Sequence, residues 1–132
     1  MDKIEHLGIA VKDLNQAISN YEMLLGTPCY KQEDVPSQGV RTAFFQSGPN
    51  KVELLAATDE NSPIFKFLEK KGEGIHHVAF AVDDILKEMQ RLKKEGYRLL
   101  SDHPSPGADG KLICFVHPKD SNGVLMELCQ DI

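Results

Sequence analysis

Two stretches of the chain alternate bulky apolar side chains with small or polar ones, and they do so in the same way. Side chains of a strand point to opposite faces with a period of two. Leu7, Ile9 and Val11 therefore share one face, and His6 lies on the other with Gly8 and Ala10. In the second stretch Val78, Phe80 and Val82 share a face, and His77 lies opposite with Ala79 and Ala81. The bulky face predicts packing on a helix. The histidine face, lined with small residues, predicts a concave surface with room for an ion and a ligand.

After each stretch the period lengthens to that of a helix. Leu14, Ala17, Ile18, Tyr21, Leu24 and Leu25 fall on one face, with Asp13 and Gln16 as N-cap and capping box and Gly26 placed to end the helix. In the second copy Ile85, Met89 and Leu92 turn inward, Asp83 or Asp84 caps, and the helix stops near Gly96. Three strands are predicted after each helix: 28–34, 40–46 and 51–57 in the first copy, with Gly48-Pro49-Asn50 as a turn, and 97–100, 111–117 and 123–130 in the second. Ser62 and Pro63 open a short helix carrying Ile64, Phe65, Phe67 and Leu68 before Gly72. The stretch 104–110 is too rich in Pro and Gly for regular structure and is a candidate lid or substrate rim. The chain thus reads as one α+β domain over 1–132, built of two tandem βαβββ modules at about 1–58 and 73–132, with a linking helix at about 62–72.

Composition narrows the function. A single domain of 132 residues holds an ordinary core, and a net charge of −5 with mixed signs offers no basic footprint for nucleic acid or an anionic membrane. Cys29, Cys114 and Cys129 are odd in number and widely spaced, making neither a disulfide framework nor a zinc-thiolate pattern. A reducing cytoplasm or an organelle matrix is the expected setting. No apolar run approaches the roughly 20 residues of a membrane helix, and the first residues do not form a signal segment, so a soluble, mature protein is expected.

The repeat also aligns the chemistry. His6 falls on His77, and at nearly the same offset Val52-Glu53-Leu54-Leu55 falls on Met126-Glu127-Leu128-Cys129. Two imidazoles and two carboxylates, without sulfur, suit a divalent ion such as Co, Ni, Mn, Fe or Zn. A lone histidine in a strand is more often a hydrogen-bonded core residue, and a lone glutamate near a strand end is usually solvated. Four at symmetric positions point to a metal site, because a glutamate between apolar strand residues is costly without a cation. His76 must face away from His77 and reads as packing or as support behind the ligands, not as a ligand. His117 reads as a turn residue ahead of Pro118 more readily than as a substrate contact, His103 carries no assignment, and Lys119 reads as a solvated surface cation more readily than as a phosphate contact.

Five segments carry a resemblance: Ile4-Glu5-His6-Leu7-Gly8-Ile9-Ala10-Val11, Val52-Glu53-Leu54-Leu55, Ser62-Pro63-Ile64 leading to Phe67-Leu68, Gly74-Ile75-His76-His77-Val78-Ala79, and His117-Pro118-Lys119-Asp120 with Gly123-Val124-Leu125-Met126-Glu127-Leu128. With them the chain resembles the vicinal oxygen chelate superfamily (glyoxalase, bleomycin resistance and dioxygenase proteins), and within it the methylmalonyl-CoA epimerases. The resemblance implies a curved mixed sheet around a metal cleft, one divalent ion at positions matching His6, Glu53, His77 and Glu127, a CoA thioester substrate, a homodimer and a place in propionate metabolism. Some members carry a glutamate, proposed as a base, where this chain has Thr42, so the carboxylates expected to move protons are Glu127 first and Glu53 second. Glyoxalase I, acting on the hemithioacetal of methylglyoxal and glutathione, is the nearest enzymatic rival. A non-catalytic small-molecule binder of the same fold is the other.

Overall fold

A computed structural model describes residues 1–132, which divide into two compact units: His6–His76, and His77–Ile132 together with Met1–Glu5. The first unit contains β1 (Lys3–Ala10, from His6 onward), α1 (Leu14–Leu25), β2 (Lys31–Val35), β3 (Val40–Ser47), β4 (Asn50–Ala57) and α2 (Pro63–Lys71). Its strands lie in the order β2-β3-β4-β1. β2, β3 and β4 are antiparallel neighbours, while β4 returns parallel to β1, with Leu7 opposite Val52 and Ile9 opposite Leu54. The bulky face meets the helix as expected. Val11, Ala43, Phe45, Leu54 and Ala56 form one cluster with Leu14, Ala17 and Ile18 of α1, and Ile9, Tyr21 and Val52 pack at its edge.

The helix ends follow local chemistry. Asp13 accepts a hydrogen bond from the Gln16 amide, and Gly26 closes α1 in the left-handed region at φ 67°, which costs glycine nothing. Ser62 caps α2 by accepting from the Ile64 amide at 3.1 Å, with Pro63 at the first helical position. One expectation changes: Leu24 is 69% and Leu25 40% exposed, although both were assigned to the inner face of α1. The buried stripe ends at Tyr21, whose ring meets Phe45 at 6.3 Å, and the last turn contributes nothing to the core cluster.

The second unit contains β5 (Gly74–Ala81, from His77 onward), α3 (Ile85–Lys94), β6 (Ser105–Pro106), β7 (Lys111–Val116) and β8 (Met126–Asp131). Its order, β5-β8-β7-β6, repeats the first design: β8 lies parallel to β5 and antiparallel to β7. Ile85, Met89 and Leu92 of α3 bury against Val82, Cys114, Val116 and Leu128. Asp84 is the cap, accepting from the Lys87 amide, and the Ile85 amide donates to the Gln130 side chain at 2.7 Å, tying the start of α3 to β8. No helix is long and apolar enough to cross a membrane.

The strand expected over 97–100 is reduced to a single bridge between Leu99 and Val116. The His117 and Leu100 amides donate to Arg98 and Phe115 carbonyls, but the Arg98 amide donates to the Asp120 carboxylate, so the ladder stops there. The Arg98 guanidinium adds two further bonds to the same carboxylate, at 3.1 and 2.8 Å. The 104–110 stretch is partly ordered into the sheet, with Ser105 opposite Ile113 and Pro106 opposite Leu112. A proline is tolerated there because β6 is an edge. Gly107 packs closely on the sheet: a Cβ there would come to 2.9 Å from the Ile113 side chain, which would have to shift.

Two outcomes test this account. Leu54 is fully buried beneath α1, and Leu54→Ala should lower the unfolding free energy by about 2–5 kcal/mol in urea titrations. The hydrogen bonds from Arg98 hold the Asp120 carboxyl down at about 2, below its ordinary value of 3.8. A carboxyl depressed in the folded state stabilises it above its unfolded value and loses that contribution as pH falls toward the folded value. Asp120→Asn should therefore lower the melting temperature slightly at neutral pH, by at most a few degrees for so exposed a pair. The gap to the wild type should close between about pH 4 and 2.

Candidate functional site

Each unit buries one histidine–glutamate pair. In the first, His6 and Glu53 are 6% and 4% exposed, and His6 Nε2 lies 3.4 Å from Glu53 Oε1. In the second, His77 and Glu127 are 3% and 5% exposed, with Nε2 and Oε1 3.6 Å apart. Both separations exceed the ordinary length of a nitrogen–oxygen hydrogen bond. Two ligands each about 2.1 Å from a shared metal lie roughly 3.0–3.4 Å from one another; the first pair is at the upper end of that range and the second slightly beyond it. All four residues predicted from the sequence are buried, one histidine–glutamate pair in each unit.

The strand register explains how each pair is made. Glu53 is flanked on its parallel side by Gly8 and on its antiparallel side by Phe44. Glu127 is flanked in the same way by Ala79 and Phe115. The small neighbour leaves the histidine, two positions back on the same strand face, room to lean toward the carboxylate. The aromatic neighbour walls off the other side. Phe115 meets the His77 ring edge-on at 6.0 Å, and Phe44 packs on Tyr30 at 6.1 Å. These two phenylalanines were missed in the sequence, although the offset that sets His6 on His77 also sets Phe44 on Phe115.

The remaining candidates fall outside the pairs. His76 meets Phe67 of α2 edge-on at 4.9 Å, the packing alternative of the two readings that alternation left it. His117 caps a short 3-10 helix (Pro118–Ser121), its Nδ1 accepting from the Lys119 amide at 3.1 Å, as a turn residue does. Cys129 shares the Glu127 face, packed with Ala79 and Ile113, and is 1% exposed. Burial first, and then the Glu127 and Glu5 charges, push its thiol up to about 12, so it is a neutral packing group. Thr42 is fully buried on β3, and its hydroxyl has no hydrogen-bond partner in the protein.

Comparison with known proteins gives a consistent result. Residues 5–115 match the Glyoxalase/Bleomycin resistance protein/Dioxygenase superfamily. An ethylmalonyl-CoA/methylmalonyl-CoA epimerase of Cereibacter sphaeroides is 45% identical over 130 residues, covering 97% of each chain. A variant of the Streptomyces coelicolor methylmalonyl-CoA epimerase, solved in complex with 2-nitronate-propionyl-CoA, superposes with a TM-score of 0.94 at 36% identity, covering 99% of this chain and 98% of the other. A probable chloroplastic lactoylglutathione lyase of Arabidopsis thaliana is more distant, 29% identical over 126 residues and matched along 35% of its length.

Proposed function

The chain belongs to the glyoxalase/bleomycin resistance/dioxygenase superfamily and within it to the methylmalonyl-CoA epimerases, and from that membership we propose that it interconverts the two C2 epimers of methylmalonyl-CoA. The observation that carries this reading is the buried histidine–glutamate pair present in each unit. The likeness to epimerases runs the full length of both chains, whereas the glyoxalase-type relative is matched over a third of its own length, which favours the epimerase over glyoxalase I. Retention of all four ligand-type residues favours an enzyme over a passive binder.

The donor set fits a metal. Two imidazoles and two carboxylates, each pair buried with its ligand atoms near ion-sharing distance, would otherwise be an expensive way to fill a sheet. In this reading His6, Glu53, His77 and Glu127 hold one divalent ion, Co, Ni, Mn or Zn. When bound, such an ion supplies positive charge beside the acyl oxygens and so lowers the cost of the charge that develops as the α-proton leaves.

Epimerisation removes a proton from one face of C2 and returns one to the other, so two proton-moving groups are needed within hydrogen-bond reach. Glu127 is assigned as the first and Glu53 as the second, since the repeat sets them at equivalent positions. Gly8 and Ala79 keep the space beside them open for the acyl group. Phe44 and Phe115 keep bulk water from the flanks, which strengthens each charge interaction. The working form is taken to be a homodimer in the cytoplasm or an organelle matrix, a setting in keeping with three free cysteines.

Hydrogen exchange at C2 of (2S)- or (2R)-methylmalonyl-CoA in deuterated water, with and without Co added to metal-stripped protein, tests the reading. Metal-dependent exchange with racemisation is expected, and no exchange with metal bound would return the choice to glyoxalase I. Glu127→Gln should slow exchange by about 10²- to 10⁴-fold, and normal exchange in that variant would remove Glu127 as a base. Purified protein should carry close to one divalent ion per chain by elemental analysis and lose activity on chelation.

A further inference from the structure

Thr42 is the one buried side chain whose polar atom lacks a hydrogen-bond partner, and its place in the sheet is specific. In the β3–β4 ladder Phe44 stands opposite Glu53, and Thr42 opposite Leu55. Residues paired across an antiparallel ladder share a face, as do residues two apart on one strand. Thr42 therefore lies on the face of His6 and Glu53, away from α1. It is the diagonal neighbour of Glu53, a relation that sets the two residues roughly 7–8 Å apart, with their Cβ atoms somewhat closer. That is too far to share an ion with Glu53, and about right for touching a small molecule seated against it.

The hydroxyl is not a requirement of packing. On its other side Thr42 opposes Glu33 of β2, whose carboxylate is engaged by Lys31 at 3.3 Å. Within the repeat, the offset joining Phe44 to Phe115 sets Thr42 on Ile113, an aliphatic residue that is 5% exposed. A core position that accepts isoleucine in one copy would accept valine in the other, and valine would leave no buried hydroxyl unpaired. Burying an unpaired polar group is costly, so its retention beside the carboxylate points to a partner that arrives with the ligand.

We propose that Thr42 is a substrate-contacting residue whose Oγ1–H donates a hydrogen bond to an oxygen of the bound dicarboxylic acyl group, fixing that group beside Glu53. A hydroxyl this weakly acidic cannot serve as the base, so its part is binding and orientation. The assignment rests on the epimerase reading and deepens it.

Two variants of the full metal-loaded chain test it, Thr42→Val and Thr42→Ser, with three readouts: melting temperature without ligand, calorimetric affinity for 2-nitronate-propionyl-CoA, and α-hydrogen exchange of methylmalonyl-CoA. Thr42→Val should melt at or above the wild-type temperature while its affinity falls about tenfold to a hundredfold, as expected for one lost hydrogen bond to a charged acceptor, with exchange at subsaturating substrate slowed in parallel. Thr42→Ser, which keeps the donor, should stay within about threefold of wild type in affinity. Unchanged affinity in Thr42→Val, or a melting temperature below wild type, shows a structural hydroxyl and overturns the assignment while leaving the epimerase reading intact. Failure of the wild-type chain itself to exchange the α-hydrogen overturns the epimerase reading, and this assignment with it.

Discussion

A carboxylate placed inside a sheet between apolar residues is tolerated only if a group of opposite or complementary character meets it, and this chain buries two at equivalent positions. Glu53 is preceded and followed by Val52 and Leu54, Glu127 by Met126 and Leu128. Each meets an imidazole brought by the parallel strand alongside, β1 for Glu53 and β5 for Glu127. Parallel return of the last strand is therefore what makes each pair. A hairpin return beside the first strand is ruled out by topology, because two strands and a helix intervene.

The helices make the polar face affordable. Alternation sends Val11, Phe45 and Leu54 toward α1, and Val82, Cys114 and Leu128 toward α3, so each unit builds its main core on one side of the sheet. The other side is then free to carry histidine, glutamate and small residues without loss of that core. Asp13 and Asp84, as N-caps immediately after the first strand of each copy, set where each helix begins and hence which of its residues meet the sheet.

The two copies are alike in scaffold and unlike in detail. Phe44 and Phe115 flank the two glutamates in the same way. Thr42 and Ile113 differ at matched positions, and the difference is a buried polar atom on one side alone. The second strand of the pattern also diverges. Residues 31–35 pair fully with β3, whereas their counterpart on β7 is cut to Ser105–Pro106, and the Arg98–Asp120 contact limits 97–100 to a single bridge.

Much of this was legible in the chain alone. The two periods, the caps at Asp13 and Ser62, the glycine at the end of α1 and the alignment of His6 with His77 and Glu53 with Glu127 are local or repeat signals, and local signals survive folding when tertiary packing agrees with them. Three features were decided only by the fold. The exposure of Leu24 and Leu25 depends on where the sheet beneath α1 ends, which helical periodicity does not record. The loss of the 97–100 strand depends on a carboxylate 22 residues away capturing one amide. The unpaired hydroxyl of Thr42 and the two phenylalanine walls depend on strand register, and register pairs residues that the sequence holds far apart.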